Sequence, residues 1–158
     1  MEAILFIGIP ASGKSAFYKE RFFDTHVRIN LDMLKTRQRE LLLLQACIAA
    51  RQPFVVDNTN IYRRDRARYI EAAQLAGFRI AGYYFQSSLK DALQRNSQRE
   101  GKANIPVKGV VAMYQRLETP RYSEGFDQLY YVAIDPLTSQ FLVREWEGQL
   151  PPAKAGGL

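Results

Sequence analysis

The chain opens on Ala3-Ile4-Leu5-Phe6-Ile7, an unbroken apolar run stopped by Gly8. A run this short and this apolar reads as a strand buried on both faces, the kind found in parallel sheets. Ser15 to Phe23 reads as a helix and Val27 to Asn30 as a short second strand. Leu34 to Arg51, rich in leucine and poor in β-branched residues, reads as a helix closed by Pro53, ahead of the apolar strand Phe54-Val55-Val56. The unit then repeats. Asn60 is placed to cap a helix from Tyr62 to Ala76 that Gly77 ends, and Phe78 to Phe85 follows as a fourth strand. Ser87 or Ser88 caps a helix reaching Glu100, Gly101 to Pro106 breaks it, and Val107 to Leu117 is helical again. Gln128 to Ile134 and Phe141 to Trp146 read as strands on either side of the turn Asp135-Pro136, and Pro151 to Leu158 as a frayed end. Strands and helices in alternation, with the strands buried, predict a three-layer α/β domain, because each parallel pair needs a crossover. The expected organisation is one domain over residues 1–148 with a disordered tail over 149–158.

Composition narrows this in two ways. At 158 residues, 47% of them hydrophobic and 24% charged, the chain supports one core and is no disordered or fibrous sequence. The longest apolar stretch, Leu41 to Ala50, is broken by Gln45 and falls short of the roughly 20 residues that cross a bilayer, so it reads as a buried helix and no membrane partner is expected. Cys47 is the only cysteine, and the first residues lack a basic, cleavable leader, which leads to the expectation of a reducing, cytoplasmic setting. Charge adds a partner class. Lysine and arginine total 22 against 16 acidic residues, a net +6 carried mostly by arginine, which suits a polyanion because guanidinium forks onto phosphate.

The strongest local signal is Gly8-Ile9-Pro10-Ala11-Ser12-Gly13-Lys14-Ser15, which fits G-x-x-x-x-G-K-[ST] without a mismatch. The glycines let successive backbone N–H groups converge on one phosphate, Lys14 reaches the β- and γ-phosphates, and the Ser15 hydroxyl ligates Mg²⁺. The helix starting here, through Ala16, adds its positive dipole end. A P-loop between a buried strand and a helix marks a nucleoside triphosphate site, its base left open, in a P-loop NTPase fold with a mostly parallel sheet. Asp57 ends the third strand where a second Mg²⁺ contact belongs, opposite Ser15, or else caps the next turn. Position 58 is Asn58, where motor ATPases commonly carry a glutamate that activates water, so an acceptor other than water is favoured.

Asp32 follows the second strand by two residues and should face the crevice at the carboxyl ends of the strands, placed to take a proton from an attacking hydroxyl. Its alternative is the N-cap of the next helix. Lys35 either holds a phosphate of the acceptor or lies in solvent. Arg95 and Arg99, four residues apart, are expected on one face of a helix, closing with Lys102 over the triphosphate as a small helical lid. Arg63, Arg64, Arg66 and Arg68 crowd a helix start, against its dipole, and read either as a contact for an acidic substrate strand or as a solvated face. Tyr83-Tyr84-Phe85 and Tyr130-Tyr131 read as core rather than base-stacking platforms, and His26 as a surface residue. One cysteine and one histidine make no zinc constellation.

Taken together, the P-loop, Ile29-Asn30-Leu31-Asp32, Val56-Asp57-Asn58-Thr59-Asn60 with Arg66 and Tyr69, Arg95 to Arg99 with Ile105-Pro106-Val107, and Glu124-Gly125-Phe126 resemble the kinase module of the 5′-hydroxyl polynucleotide kinases, in order from Ala3 to Ile134. The resemblance implies transfer of the γ-phosphoryl of ATP, with Mg²⁺, to a 5′-hydroxyl end of a nucleic acid. It implies Asp32 as general base, Lys14 and Ser15 on phosphate and metal, and Arg99 as the lid arginine. It also implies an acceptor surface including Asp32, Lys35, Asn58, Thr59, Asn60, Arg63 and Arg66. Lys35 stands where phage members carry an arginine for the acceptor's 3′-phosphate. No Asp-x-Asp phosphatase signature is present, so a separate ligase or phosphatase would be the working partner. Two other readings stay open: a small-molecule kinase resembling zeta toxins or antibiotic phosphotransferases, and a non-catalytic nucleotide-binding module. RNA and DNA, single strand and nicked duplex, stand equal as acceptors; the base of ATP is expected near Pro120 to Asp127, and no feature sets an oligomeric state.

Overall fold

A computed structural model describes residues 1–145. Trp146 and the expected 149–158 tail, with its boundary at 148, lie outside the described residues. Strands β1 (Glu2–Ile7), β2 (Val27–Ile29), β3 (Phe54–Val56), β4 (Arg79–Phe85), β5 (Gln128–Ile134) and β6 (Phe141–Glu145) form one sheet in the order 2-3-1-4-5-6. Every pairing is parallel except β5 with β6, where Ile134 faces Phe141. The first strand is central: Leu5 sits between Val56 on one side and Gly82 on the other.

Because side chains alternate along a strand, β1 feeds both faces. Ala3, Leu5 and Ile7 join Ile29, Val56, Ile80 and Leu129 in one cluster. That face is covered by α3 (Arg37–Ala50), α4 (Arg63–Leu75), α5 (Leu89–Ser97) and α6 (Val107–Arg116), which contribute Leu44, Ile70, Leu89 and Val110. Ile4 and Phe6 point the other way, onto Phe17 and Tyr18 of α1 (Lys14–Arg21), with Phe85 and Val132. Each fully buried large apolar side chain contributes about 1.5–3 kcal/mol. The result is the expected three-layer P-loop NTPase fold with a mostly parallel sheet. Tyr84 is core, and Tyr83 stacks on Tyr130 with ring centroids 4.7 Å apart against the α1 side, as the strand pattern indicated.

Several boundaries differ, each for a local reason. The helix expected from Leu34 to Arg51 is two, α2 (Leu31–Leu34) and α3, because Lys35 takes φ 75° and Thr36 caps α3 by accepting from the Arg39 amide. Asn60 caps nothing: its φ is 47°, its side chain donates to the Phe6 carbonyl, and Tyr62 occupies the N-cap of α4. Gly77 does end α4, at φ 75°, with its amide on the Gln74 carbonyl and the Phe78 amide on the Ala73 carbonyl, a Schellman closure. Ser88, not Ser87, caps α5 through the Asp91 amide, and α5 stops at Ser97, short of Glu100. His26 is no surface residue: its Nε2 meets Glu2 Oε1 at 2.8 Å and its ring packs edge-on to Phe22. Among the described residues, no helix is long and apolar enough to cross a membrane.

Candidate functional site

The P-loop joins β1 to α1 at the carboxyl edge of the sheet. Ala11 and Gly13 take φ of 63° and 100°, which curl the backbone before α1 begins. Gly8 donates its amide to the Thr59 carbonyl, tying the loop to the segment after β3. Lys14 is buried, and its Nζ donates to the Gly8 carbonyl at 3.0 Å, the Ile9 carbonyl at 2.8 Å and Ser12 Oγ at 3.4 Å. Burial pushes the Lys14 ammonium down to about 8; nearby Arg99 adds to the fall, while Asp57 and Asp32 oppose it. Three charges carried by three other segments therefore act on the Lys14 ammonium.

The Ser15 hydroxyl donates to Asp57 Oδ2 at 3.1 Å, so Asp57 stands opposite Ser15 as the strand pattern predicted and caps no turn. Asp57 is 2% exposed, and Arg28 neutralises it: Nε lies 2.8 Å from the same Oδ2, while Nη2 donates to Ser15 Oγ at 3.0 Å. Ser15 Oγ and Asp57 Oδ2 fit Mg²⁺. They are hard oxygens, and 3.1 Å is close to the roughly 3 Å edge of an octahedron with bonds of about 2.1 Å. No group of three or more His, Cys, Asp or Glu able to hold a metal exists among the described residues. Phosphates and water would complete such a shell, the usual arrangement for Mg²⁺.

Asp32 lies in the first turn of α2 and is not its N-cap. Asn30 is, with Oδ1 accepting from the Met33 amide at 2.9 Å and Nδ2 donating to the Asp57 carbonyl. Asn58 Oδ1 accepts from the Leu31 amide at 2.9 Å. The start of the turn carrying Asp32 is thus stitched twice to the segment carrying Asp57. The Asn58 amide is in turn held by Glu40 Oε2 at 3.0 Å, and Glu40 Oε1 accepts from Tyr69 at 2.8 Å and Arg37 at 2.8 Å. Burial, then Glu40, pushes the Tyr69 hydroxyl up to about 12.

These parts meet in one cleft of about 520 Å³. It brings together Pro10, Ala11, Lys14, Ser15, Asp32, Asp57, Asn58, Thr59, Asn60, Arg99 and Lys102 of the residues read from sequence, and adds Arg28, Arg37 and Asp65. Gly8, Ser12 and Gly13 shape the loop from behind, and Ala16 is exposed on α1. Arg95 and Arg99 do not share a helix face, because α5 ends between them. Arg99 hangs over the cleft, its loop closed by Asn96, whose side chain pairs with both the amide and the carbonyl of Ile105. Arg95 instead braces the P-loop, with Nε on the Ala11 carbonyl and Nη2 on Ser87 Oγ, both at 2.7 Å, beside a smaller cleft of about 180 Å³ lined by Gln86, Ser88, Ala133 and Ile134.

Four expectations need correction. Arg66 cannot touch a substrate: it is 0% exposed, forked onto Glu124 at 2.8 and 3.0 Å, and donates to the Asn60 and Glu118 carbonyls. Arg63 and Lys35 are exposed and do not line the cleft. Arg64 lies over the Tyr62 ring and Arg68 pairs with Asp65, so of the arginine cluster Arg66 alone is a buried strut. Pro120 to Asp127 packs against α4 through Glu124 and Gly125, not beside the P-loop. The residues at the cleft that the sequence did not single out were Arg28 and Arg37, which line it, and Glu40, which holds Asn58 beneath it. Arg28 carried a signal, a charge in the middle of a three-residue strand otherwise made of Val27 and Ile29.

A family profile described as an AAA domain matches residues 4–120. The bifunctional polynucleotide phosphatase/kinase of Schizosaccharomyces pombe (strain 972) is 27% identical over 129 residues, covering 79% of this chain. The match spans about a third of that relative, 32% of its length. Among solved structures, a gluconokinase from Sinorhizobium meliloti 1021 superposes with a TM-score of 0.58 at 23% identity, over 86% of this chain and 85% of that one. Kti12 from Chaetomium thermophilum, in complex with ADP-AlF3, superposes with a TM-score of 0.59 at 18% identity, over 87% and 93%. With the P-loop, the sheet order and the matched segment in agreement, the chain belongs to this AAA domain family and has the fold of a P-loop kinase.

Proposed function

We propose that the protein transfers the γ-phosphoryl group of ATP to a terminal 5′-hydroxyl of a nucleic acid. The observation that carries this reading is the placement of Asp32: it lines the same cleft as Lys14 and Arg99, with no hydrogen bond to a described residue, close enough to Lys14 to act on its charge. A free carboxylate there accepts the proton of an attacking hydroxyl as its oxygen bonds to the γ-phosphorus and the bond to the β–γ bridging oxygen breaks. Lys14 and Arg99 hold the charge that moves onto the leaving ADP. Ser15 and Asp57 would hold Mg²⁺, which when bound would neutralise part of that charge. Arg95 and the smaller cleft beside it take the nucleoside end.

Two features support a polyanionic acceptor. The cleft is lined by Lys14, Arg28, Arg37, Arg99 and Lys102 against Asp32, Asp57 and Asp65, and Arg37 stands on the Asp32 side where exposed Lys35 does not reach. The similarity to the Schizosaccharomyces pombe phosphatase/kinase points the same way. A second reading, a kinase for a small hydroxyl compound, is favoured by the cleft's volume of about 520 Å³, the size of an ordinary small-molecule site, and by the likeness to a gluconokinase. The deciding experiment offers Mg·ATP labelled in the γ-position to a 5′-hydroxyl oligonucleotide and, separately, to a panel of sugars, with Lys14→Ala as control. Lys14-dependent labelling of the 5′ end is expected; labelling of a sugar alone replaces this reading with the second.

A further inference from the structure

The two oxygens that suit Mg²⁺ are both engaged by one guanidinium. Arg28 Nε takes Asp57 Oδ2 at 2.8 Å and Arg28 Nη2 takes Ser15 Oγ at 3.0 Å. The Ser15 hydroxyl spends its proton on Asp57 Oδ2, so its acceptor side is the part that Arg28 uses. A metal ion held between Ser15 Oγ and Asp57 Oδ2 would need that same acceptor side and that same carboxylate oxygen. The fork and the metal are therefore mutually exclusive, sterically and by charge.

We infer that Arg28 is a resident counter-cation that competes with the divalent metal for Ser15 and Asp57, so that loading of the metal–nucleotide displaces a guanidinium latch. The inference rests on the nucleotide part of the proposed function and not on the choice of acceptor.

Three observations carry it. Asp57 is buried at the end of β3, where an ionised carboxylate needs a partner, and Arg28 is the basic side chain that pairs with it. Arg28 is itself 27% exposed, so it can leave without unpacking the core. It also has somewhere to go: its guanidinium carbon already lies 5.9 Å from the centroid of the Tyr18 ring, one turn along α1 from Ser15, and the Tyr18 ring is pinned by its hydroxyl bond to the His26 carbonyl at 2.6 Å. A cation over that ring stays favourably placed when the carboxylate is taken from it. Without Arg28, the pair formed with Asp57 no longer sums to zero, and a divalent ion meets a net negative site.

The test is Mn²⁺ binding in the presence of saturating ADP, read from the electron paramagnetic resonance of free Mn²⁺, on the full chain. Arg28→Ala should bind Mn²⁺ about tenfold more tightly than the parent, and Arg28→Lys, which keeps a charge but cannot fork, about threefold more tightly. Thermal unfolding gives a second readout. Arg28→Ala should unfold at a lower temperature without metal and gain more from Mn²⁺ and ADP than the parent does. Equal or weaker Mn²⁺ binding by folded Arg28→Ala overturns the latch, because a merely structural arginine would lower stability without tightening the metal. If Arg28→Ala does not fold, Arg28→Lys decides by the same criterion. A parent chain that binds ADP but shows no difference from either variant sinks the latch alone. One that binds neither ADP nor Mn²⁺ sinks the nucleotide reading with it.

Discussion

The floor of the cleft and its rim are held by different means. On the floor, Lys14, Asp57, Asn60 and the bracing Arg95 are buried or half-buried; Lys14, Asn60 and Arg95 donate to backbone carbonyls, and Asp57 accepts from Ser15 and Arg28. On the rim, Asp32 and Lys102 are exposed, and the one side-chain hydrogen bond of Arg99 is a long one, 3.4 Å to the Ala103 carbonyl. A group tied into the fold is preorganised, and its loss is felt in stability as well as in binding. A group standing free contributes little to stability, and its loss is felt when a ligand is present. Site residues of one chain can thus be sorted by which assay they will fail.

The largest effect expected is at the rim. Asp32→Asn should slow phosphoryl transfer by about 10²–10⁴-fold, the usual contribution of a general base, while ADP affinity and the urea midpoint hold. A shift in stability beyond about 0.5 kcal/mol would erase the distinction. Next comes a pair of arginines that look alike in sequence. Arg66→Ala leaves Glu124 buried without its partner and should cost about 3–5 kcal/mol in urea unfolding, whereas Arg99→Ala should leave stability within about 0.5 kcal/mol and lower turnover. A smaller effect belongs to Glu40, buried beneath the rim. Glu40→Leu strands Tyr69, Arg37 and the Asn58 amide and should cost about 1–3 kcal/mol; transfer should fall too, because Asn58 holds the turn that bears Asp32.

The last effect is a pH dependence on the floor. Burial holds Lys14 near 8 in the folded chain against an ordinary 10.5, so between those values the unfolded chain binds more protons and stability rises with pH. Below about 8 the whole penalty is present. Lys14→Met should therefore melt higher than the parent at pH 7, with the gap closing as pH approaches 10. A gap independent of pH would show that the ammonium is not desolvated on the floor.

How much of this was legible from the sequence follows the range of the interactions. The P-loop, the apolar strands and the facing of Asp57 and Ser15 rest on local patterns and on strand ends, and these were readable. Arg66 was misread because its partner Glu124 lies 58 residues away, and a helix-start arginine with no visible partner looks like surface. The Arg37–Glu40–Tyr69–Asn58 cluster spans α3, α4 and the end of β3, and only folding assembles it. The break at Lys35 was hidden because a non-glycine residue at φ 75° carries no sequence mark. Arg99 was assigned to the right neighbourhood by the wrong route: helical spacing put it beside Arg95, whereas the Asn96 bonds to Ile105 hold its loop over the cleft.

The central place of the first strand has a consequence for biosynthesis. Ala3 to Ile7 leave the ribosome well before either neighbour in the sheet, since β3 begins at Phe54 and β4 ends at Phe85. At about 5–20 residues per second, roughly 2–10 s separate Ile7 from Val56, where the first of these neighbours is complete. Through that interval the most apolar strand of the protein has neither edge paired, and its short, uncharged sequence is of the type that self-associates. The nascent chain is thus most vulnerable to aggregation, and most in need of chaperone cover, along Ala3 to Ile7.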